Sequence, residues 1–163
     1  MSMIISVKDA LRNEGDRYDL AFTADLPATD YMGPITFLNT KVEGAYFADG
    51  GNIRCYGKIY VTCRFACDRC LKEFDRDFVF SFSEIFSPNA EEENYRLTRN
   101  ETFDFQPLLN DTVLSGLPIE RLCRDDCKGL CPHCGIDKNF SSCSCEDEVN
   151  EDNPFAVLRG LGN

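Results

Sequence analysis

The most regular hydrophobic pattern lies in the middle of the chain. Residues 52–63 alternate, with Ile53, Cys55, Ile59 and Val61 on one face and Arg54, Tyr56, Lys58 and Tyr60 on the other. Further on, Phe74, Phe78, Phe80, Phe82 and Phe86 all fall on even positions. A period of two places them on one side of a strand, whereas a helix would scatter them around its circumference. Residues 35–47 read as a preceding strand, joined to the next through Asp49-Gly50-Gly51, a tight-turn sequence that tolerates positive φ. The second turn falls at Cys67-Asp68-Arg69-Cys70. The centre is therefore an antiparallel meander of at least three strands, with cysteines at its second turn.

The flanks are weaker but readable. Residues 3–7 predict a short strand, 7–12 a short helix and 18–24 another strand, with Pro27 and Pro34 bracketing a turn region. Pro88 ends the long phenylalanine strand, and Glu91-Glu92-Glu93 reads as a solvated loop. Residues 101–105 return as a strand. Residues 107–117 carry Leu108, Leu109, Thr112, Val113 and Leu117 at helical spacing, with Pro107 in the first turn and Gly116 near the end. The predicted fold class is α+β: an antiparallel β-sheet meander with short helices and a C-terminal zinc-knuckle-like module. The expected organisation is a sheet domain over 1–118, with a Cys-x2-Cys turn at 67–70, and a cysteine-rich zinc module over 119–147. An acidic linker and a short C-terminal helix, capped by Asn153 with Pro154 in its first turn, would occupy 148–163.

At 163 residues the chain is long enough for one domain with a real core and a small appended module. No apolar run reaches the roughly 18 residues that span a bilayer. Residues 1–8 are too short and polar for a signal peptide, so a cytoplasmic protein without membrane attachment is expected. The net charge of -11 argues against indiscriminate nucleic-acid binding but leaves room for a local basic face.

In a reducing compartment the ten cysteines point to metal or redox chemistry rather than disulfides. The C-terminal group reads Cys123-x3-Cys127-x3-Cys131-Pro-His-Cys134-Gly, then Cys143-Ser-Cys145. A Cys-x2-Cys turn sets two thiolates at one vertex of a loop, and tetrahedral zinc takes four at about 2.3 Å. The module has little apolar material, so a metal would replace a core. Cys127, Cys131, Cys134 and Cys145 form the preferred ligand set, with Cys123 and Cys143 as alternates, and His133 is a weaker candidate between two thiols. Cys63-x3-Cys67-x2-Cys70 repeats the spacing of Cys127, Cys131 and Cys134. Cys67 and Cys70 either hold their own metal, completed by Cys63 or Cys55, or reach across to share one or two ions with the C-terminal module. Cys55 reads best as a small buried residue; Cys63 is open between the two roles. One or two zinc ions, structural rather than catalytic, are expected.

A redox alternative rests on Cys131-Pro-His-Cys134, the dithiol pattern of oxidising thioredoxin-fold enzymes. That chemistry needs the motif after a strand and opening a helix, and here a polar loop follows. A phosphate-binding glycine loop, a histidine acid/base pair and a nucleophile elbow are all missing, so neither an enzyme nor a small-molecule substrate is expected.

Three motifs together carry a family resemblance. The turn Cys67-Asp68-Arg69-Cys70-Leu71, the run Cys127-Lys128-Gly129-Leu130-Cys131-Pro132-x-Cys134-Gly135 after Leu117-Pro118, and the ending Asn153-Pro154-Phe155-Ala156-Val157-Leu158-Arg159-Gly160-Leu161 resemble the bacterial large ribosomal RNA subunit accumulation (YceD-type) proteins. The resemblance implies a factor supporting synthesis, processing or stability of large-subunit ribosomal RNA. Its partner would be that RNA or a basic ribosomal protein. Other branches of that family lack the C-terminal cysteines, which fits a structural role for zinc. A candidate RNA face comprises Arg54, Tyr56, Lys58, Tyr60, Arg69 and Lys72, because basic and aromatic side chains together neutralise phosphates and stack bases. Residues 54–76 carry six Lys/Arg against three acids. A zinc-dependent protein-interaction module without RNA contact is the other reading of the same features.

Overall fold

A computed structural model describes residues 3–30, 33–91 and 95–145. Along the chain these form β1 (Ile4–Ser6), α1 (Lys8–Arg12), β2 (Tyr18–Thr23), β3 (Ile35–Asp49), β4 (Asn52–Ala66), β5 (Glu73–Phe86), β6 (Thr102–Asp104) and α2 (Gln106–Gly116). β2, β3, β4 and β5 make one four-stranded antiparallel sheet in sequence order, and β1 pairs with β6 as a separate ribbon. The architecture is α+β, as the alternation predicts.

The alternation in β4 is exact in burial: every odd residue from Ile53 to Phe65 except Gly57 is buried, and every even one except Thr62 is exposed. β5 turns its even-numbered phenylalanines inward, so Phe74, Phe78, Phe80, Phe82 and Phe86 line the covered face. The ribbon and α2 close that face. Phe103 stacks on Phe86 with ring centroids 4.0 Å apart, and Phe105 sets its edge against Phe82 and Phe22. Leu108, Leu109 and Val113 of α2 are buried in the same cluster. Burying such side chains stabilises the fold by about 1.5–3 kcal/mol each.

Two features of the sheet escape a period-two reading. A bulge between Phe37 and Asn39 interrupts β3. Before it the odd residue Ile35 is buried, after it the even residues Thr40 and Val42, and Leu38 is left exposed. The extra residue switches which parity faces the core. Gly44 and Gly57 face one another across β3 and β4. A Cβ on Gly57 would run into the Glu43 carbonyl and lie 2.9 Å from the Phe82 ring, so these glycines let Phe82 lie close to the sheet.

Residues 121–130 fold back on the β4–β5 turn, and Arg76 of β5 donates to the Leu122 carbonyl at 2.8 Å. The linker and helix expected over 148–163 lie outside the described residues.

Candidate metal centres

The turn between β4 and β5 is built by backbone hydrogen bonds that recur in the C-terminal segment. Cys67 N–H donates to the Lys72 carbonyl and Leu71 N–H to the Cys67 carbonyl, both at 2.9 Å. Sixty-four residues on, Cys131 N–H donates to the Ile136 carbonyl at 2.8 Å and Gly135 N–H to the Cys131 carbonyl at 2.9 Å. The residue after the second cysteine has positive φ in both turns: +61° at Leu71 and +73° at Gly135. Each loop thus turns two thiols toward one point.

What each turn meets decides the grouping. Asp68 accepts from Arg121 N–H at 2.6 Å, and its own N–H donates to the Arg121 carbonyl at 2.9 Å. Arg69 donates to the Cys127 carbonyl at 3.1 Å and to Glu120 at 2.9 Å, while its own carbonyl accepts from Leu130 N–H. Gly129, at φ +71°, packs against that carbonyl so closely that a Cβ would lie 2.8 Å from it. These bonds draw residues 120–130 across the first turn. The sulfurs of Cys67, Cys70, Cys123 and Cys127 then all fall within 4.8 Å of one another. Cys67 and Cys127 Sγ are 3.8 Å apart, and Cys70 and Cys123 Sγ 3.7 Å. A tetrahedron with arms of about 2.3 Å has edges of about 3.8 Å, so this spacing suits a four-thiolate metal site. Cys131, Cys134, Cys143 and Cys145 make a second set, also within 4.8 Å.

The partition differs from the set preferred on spacing. Cys127 joins Cys67, Cys70 and Cys123, and Cys143 completes the set of Cys131, Cys134 and Cys145. Cys55 and Cys63 belong to neither. Both are buried on the inner sheet face, where burial pushes their thiols up to about 12.

The two centres differ in surroundings. Cys67, Cys70 and Cys127 are buried and packed with Phe74, Leu122 and Leu130, whereas Cys134 and Cys145 are exposed. In both, the first thiol of the turn is held below its ordinary value. Burial opposes ionisation of Cys67, but backbone hydrogen bonds at Cys123, Cys70 and Arg69 outweigh it and hold the thiol at about 6. Backbone hydrogen bonds at Cys134 and His133 likewise bring Cys131 to about 6. Burial together with neighbouring sulfurs pushes Cys123 up to about 12. Cys145 also goes up to about 12, chiefly through its hydrogen bond with Cys134. Four thiols sharing one site behave this way, because the first thiolate disfavours the next until a cation joins them.

Sequence reasoning missed Asn139, which packs on the first centre. Its side chain donates to Cys127 Sγ at 3.5 Å and accepts from Lys128 N–H at 2.8 Å and Arg124 at 2.7 Å. Such outer partners orient ligands. Asp68 and Arg121 were equally invisible, since no motif marks a charge pair that joins two distant loops.

Arg54, Tyr56, Lys58 and Tyr60 lie on the uncovered sheet face, where Arg54 is bound to Asp49 at 2.7 Å. On that face Lys41 pairs with Glu43, and Arg64 makes two bonds to Asp75. Arg69 and Lys72 sit at the cysteine turn. Cys131-Pro-His-Cys134 opens no helix among the described residues; a turn and an isolated bridge follow it.

An antiparallel sheet with two four-cysteine clusters capable of holding metal defines a cysteine-rich α+β protein. The family model described as large ribosomal RNA subunit accumulation protein YceD matches residues 55–162, a stretch that contains all ten cysteines. Uncharacterized proteins of Mycobacterium tuberculosis and Mycobacterium bovis are 32% identical over 148 residues, covering 82% of this chain and 70% of theirs. No solved structure matches the chain significantly. The chain belongs to the large ribosomal RNA subunit accumulation protein YceD family. No helix among the described residues is long and apolar enough to cross a membrane.

Proposed function

We propose that this protein is a non-enzymatic cytoplasmic factor supporting the accumulation of large-subunit ribosomal RNA, acting through that RNA or a ribosomal protein. The family match carries the reading, because it spans both cysteine clusters and the strands that position the first. In this account each cluster holds one zinc ion. All-thiolate, four-coordinate sites leave no open position for water, so the metal staples the fold rather than catalysing. Cys67, Cys70, Cys123 and Cys127 fix residues 120–130 to the β4–β5 turn, and Cys131, Cys134, Cys143 and Cys145 shape the following loop.

Two observations support RNA contact. Tyr56 and Tyr60 stand 39% and 37% exposed on either side of Lys58, and Lys72 makes no ion pair among the described residues. Arg69 serves instead as a clamp on residues 120–127. The test is depletion of the protein in its own cells, followed by the ratio of large- to small-subunit ribosomal RNA. Depletion is expected to lower the ratio, the wild-type gene to restore it and Cys67→Ser/Cys127→Ser to fail. An unchanged ratio on depletion would reject the function.

A further inference from the structure

Beside the first metal centre lies a cleft of about 200 Å³ that the stapling role leaves unused. Its walls include Cys70, Lys72 and Phe74 from the first turn and Cys123, Arg124 and Phe140 from the C-terminal segment. Phe140 is 76% exposed in a segment with little other apolar surface. Its ring has no aromatic partner among the described residues, whereas Phe74 is covered by Phe65 and the Arg76 guanidinium. A large exposed aromatic beside two cations has the composition of a stacking platform for single-stranded nucleic acid.

The rest of the lining sets what stacks there. Asp137 also lines the cleft; its Oδ1 accepts from Asn139, and its Oδ2 has no partner among the described residues. Cys70 and Cys123 belong to a centre that, with four thiolates on a divalent cation, carries formal charge of about -2. The wall is therefore rich in acceptors. It repels a phosphate placed against it but favours a neutral ring with outward N–H donors. Phosphates are left to Lys72, unpaired among the described residues, and to Arg124, which shares its charge with Asp126 at 3.3 Å.

Resting on the ribosomal RNA reading above, we propose that this cleft is a subsite for one unstacked RNA base carrying an exocyclic amine. Phe140 is its stacking face, and Lys72 and Arg124 hold the flanking phosphates. Cytosine and uracil share a ring and exchange donor for acceptor at two positions: cytosine presents the exocyclic amine and a bare ring nitrogen, uracil a carbonyl and a ring N–H, so a preference for cytosine reads the exocyclic amine over the ring N–H.

The experiment is fluorescence anisotropy of labelled C8 and U8 RNA octamers with the zinc-loaded full chain. C8 should bind about tenfold tighter than U8. Phe140→Ala should weaken C8 at least about tenfold with zinc content unchanged. Lys72→Ala should reduce the slope of log affinity against log salt by about 0.7. Equal binding of C8 and U8, or wild-type binding by Phe140→Ala, would overturn the subsite. Phe140-dependent capture of an octalysine peptide in place of RNA would overturn it in favour of a protein partner. Complementation keeps the two proposals apart. Full rescue of ribosomal RNA by Phe140→Ala removes the subsite and leaves the function standing, whereas no effect of depletion removes the function itself.

Discussion

Cys67 and Cys127 are sixty residues apart in the chain, and their sulfurs lie 3.8 Å apart. The first belongs to a turn between two strands of the sheet, and the second to a segment without regular structure of its own. A metal joining them would close a long loop, so the first centre would hold the tertiary fold, whereas a metal at the second would organise residues 131–145.

That difference predicts unequal mutants. Cys127→Ser should destabilise the whole protein by about 4 kcal/mol or more, the scale of losing a structural metal. For a chain of this size that lowers the thermal midpoint by roughly 8–16 °C. Cys134→Ser should leave the sheet's unfolding transition within a few degrees of wild type. Circular dichroism melts of both variants check this, and equal losses would contradict it.

Chelation should follow the same order. Cys134 and Cys145 are exposed, whereas Cys67, Cys70 and Cys127 are buried beside Phe74. A chromogenic chelator should therefore remove one equivalent of zinc quickly and a second at least tenfold more slowly. A single phase carrying both ions would count against two independent environments.

The paired turns make a backbone prediction. Leu71 is 67% exposed at φ +61°, so burial does not offset its left-handed conformation, while Gly135 occupies the matching position with open space around it. A residue with a Cβ costs roughly 1–2 kcal/mol there. Gly135→Leu should destabilise the second turn by about that amount, and Leu71→Gly should be neutral or stabilising by about 1 kcal/mol. Denaturant midpoints read both, and a destabilised Leu71→Gly would show that the side chain supports the fold.

Much of this architecture is legible in the sequence. The even-numbered phenylalanines of β5 and the alternation of β4 mark two strands because one face is buried, and period two has no helical explanation. Pro107 and the leucine spacing mark α2 for the same kind of reason. The grouping of cysteines is not legible. Cys127 stands four positions from both Cys123 and Cys131, so spacing cannot say which partner shares its ion. The choice is made by Asp68 on the Arg121 backbone and by Arg69 on the Cys127 carbonyl, contacts that exist only after the chain folds back. The bulge at Leu38 is hidden likewise, since nothing at the residues around it forces a parity switch.

Alkaline pH should expose the two cysteines outside the centres. Burial raises Cys55 and Cys63 to about 12, against an ordinary value near 9. A raised thiol pKa means the unfolded chain loses its proton first. Stability is therefore full below pH 9 and falls from about 9 to 12, by up to about 1.4 kcal/mol per pH unit for each group. Urea midpoints of Cys55→Ala/Cys63→Ala, compared with wild type between pH 8 and 11, should show a shallower decline, even though the variant is less stable at pH 8. Parallel curves would contradict the assignment.

The glycine pair in the sheet gives a test of packing. Gly57→Ala drives a methyl into the Glu43 carbonyl and the Phe82 ring. The backbone atom cannot give way as a side chain does, so a loss of about 1–3 kcal/mol is expected in equilibrium unfolding. A neutral substitution would mean that the two strands can separate there at little cost.

Two separate four-thiolate centres, with Cys127 in the first, imply a definite metal count. Native mass spectrometry of wild type, Cys127→Ser and Cys134→Ser tests it directly. Two zinc ions per wild-type chain are expected, with at least one retained in each variant, Cys127→Ser losing the slowly released ion and Cys134→Ser the fast one. A single zinc in the wild type, or loss of the same ion from both variants, would contradict it.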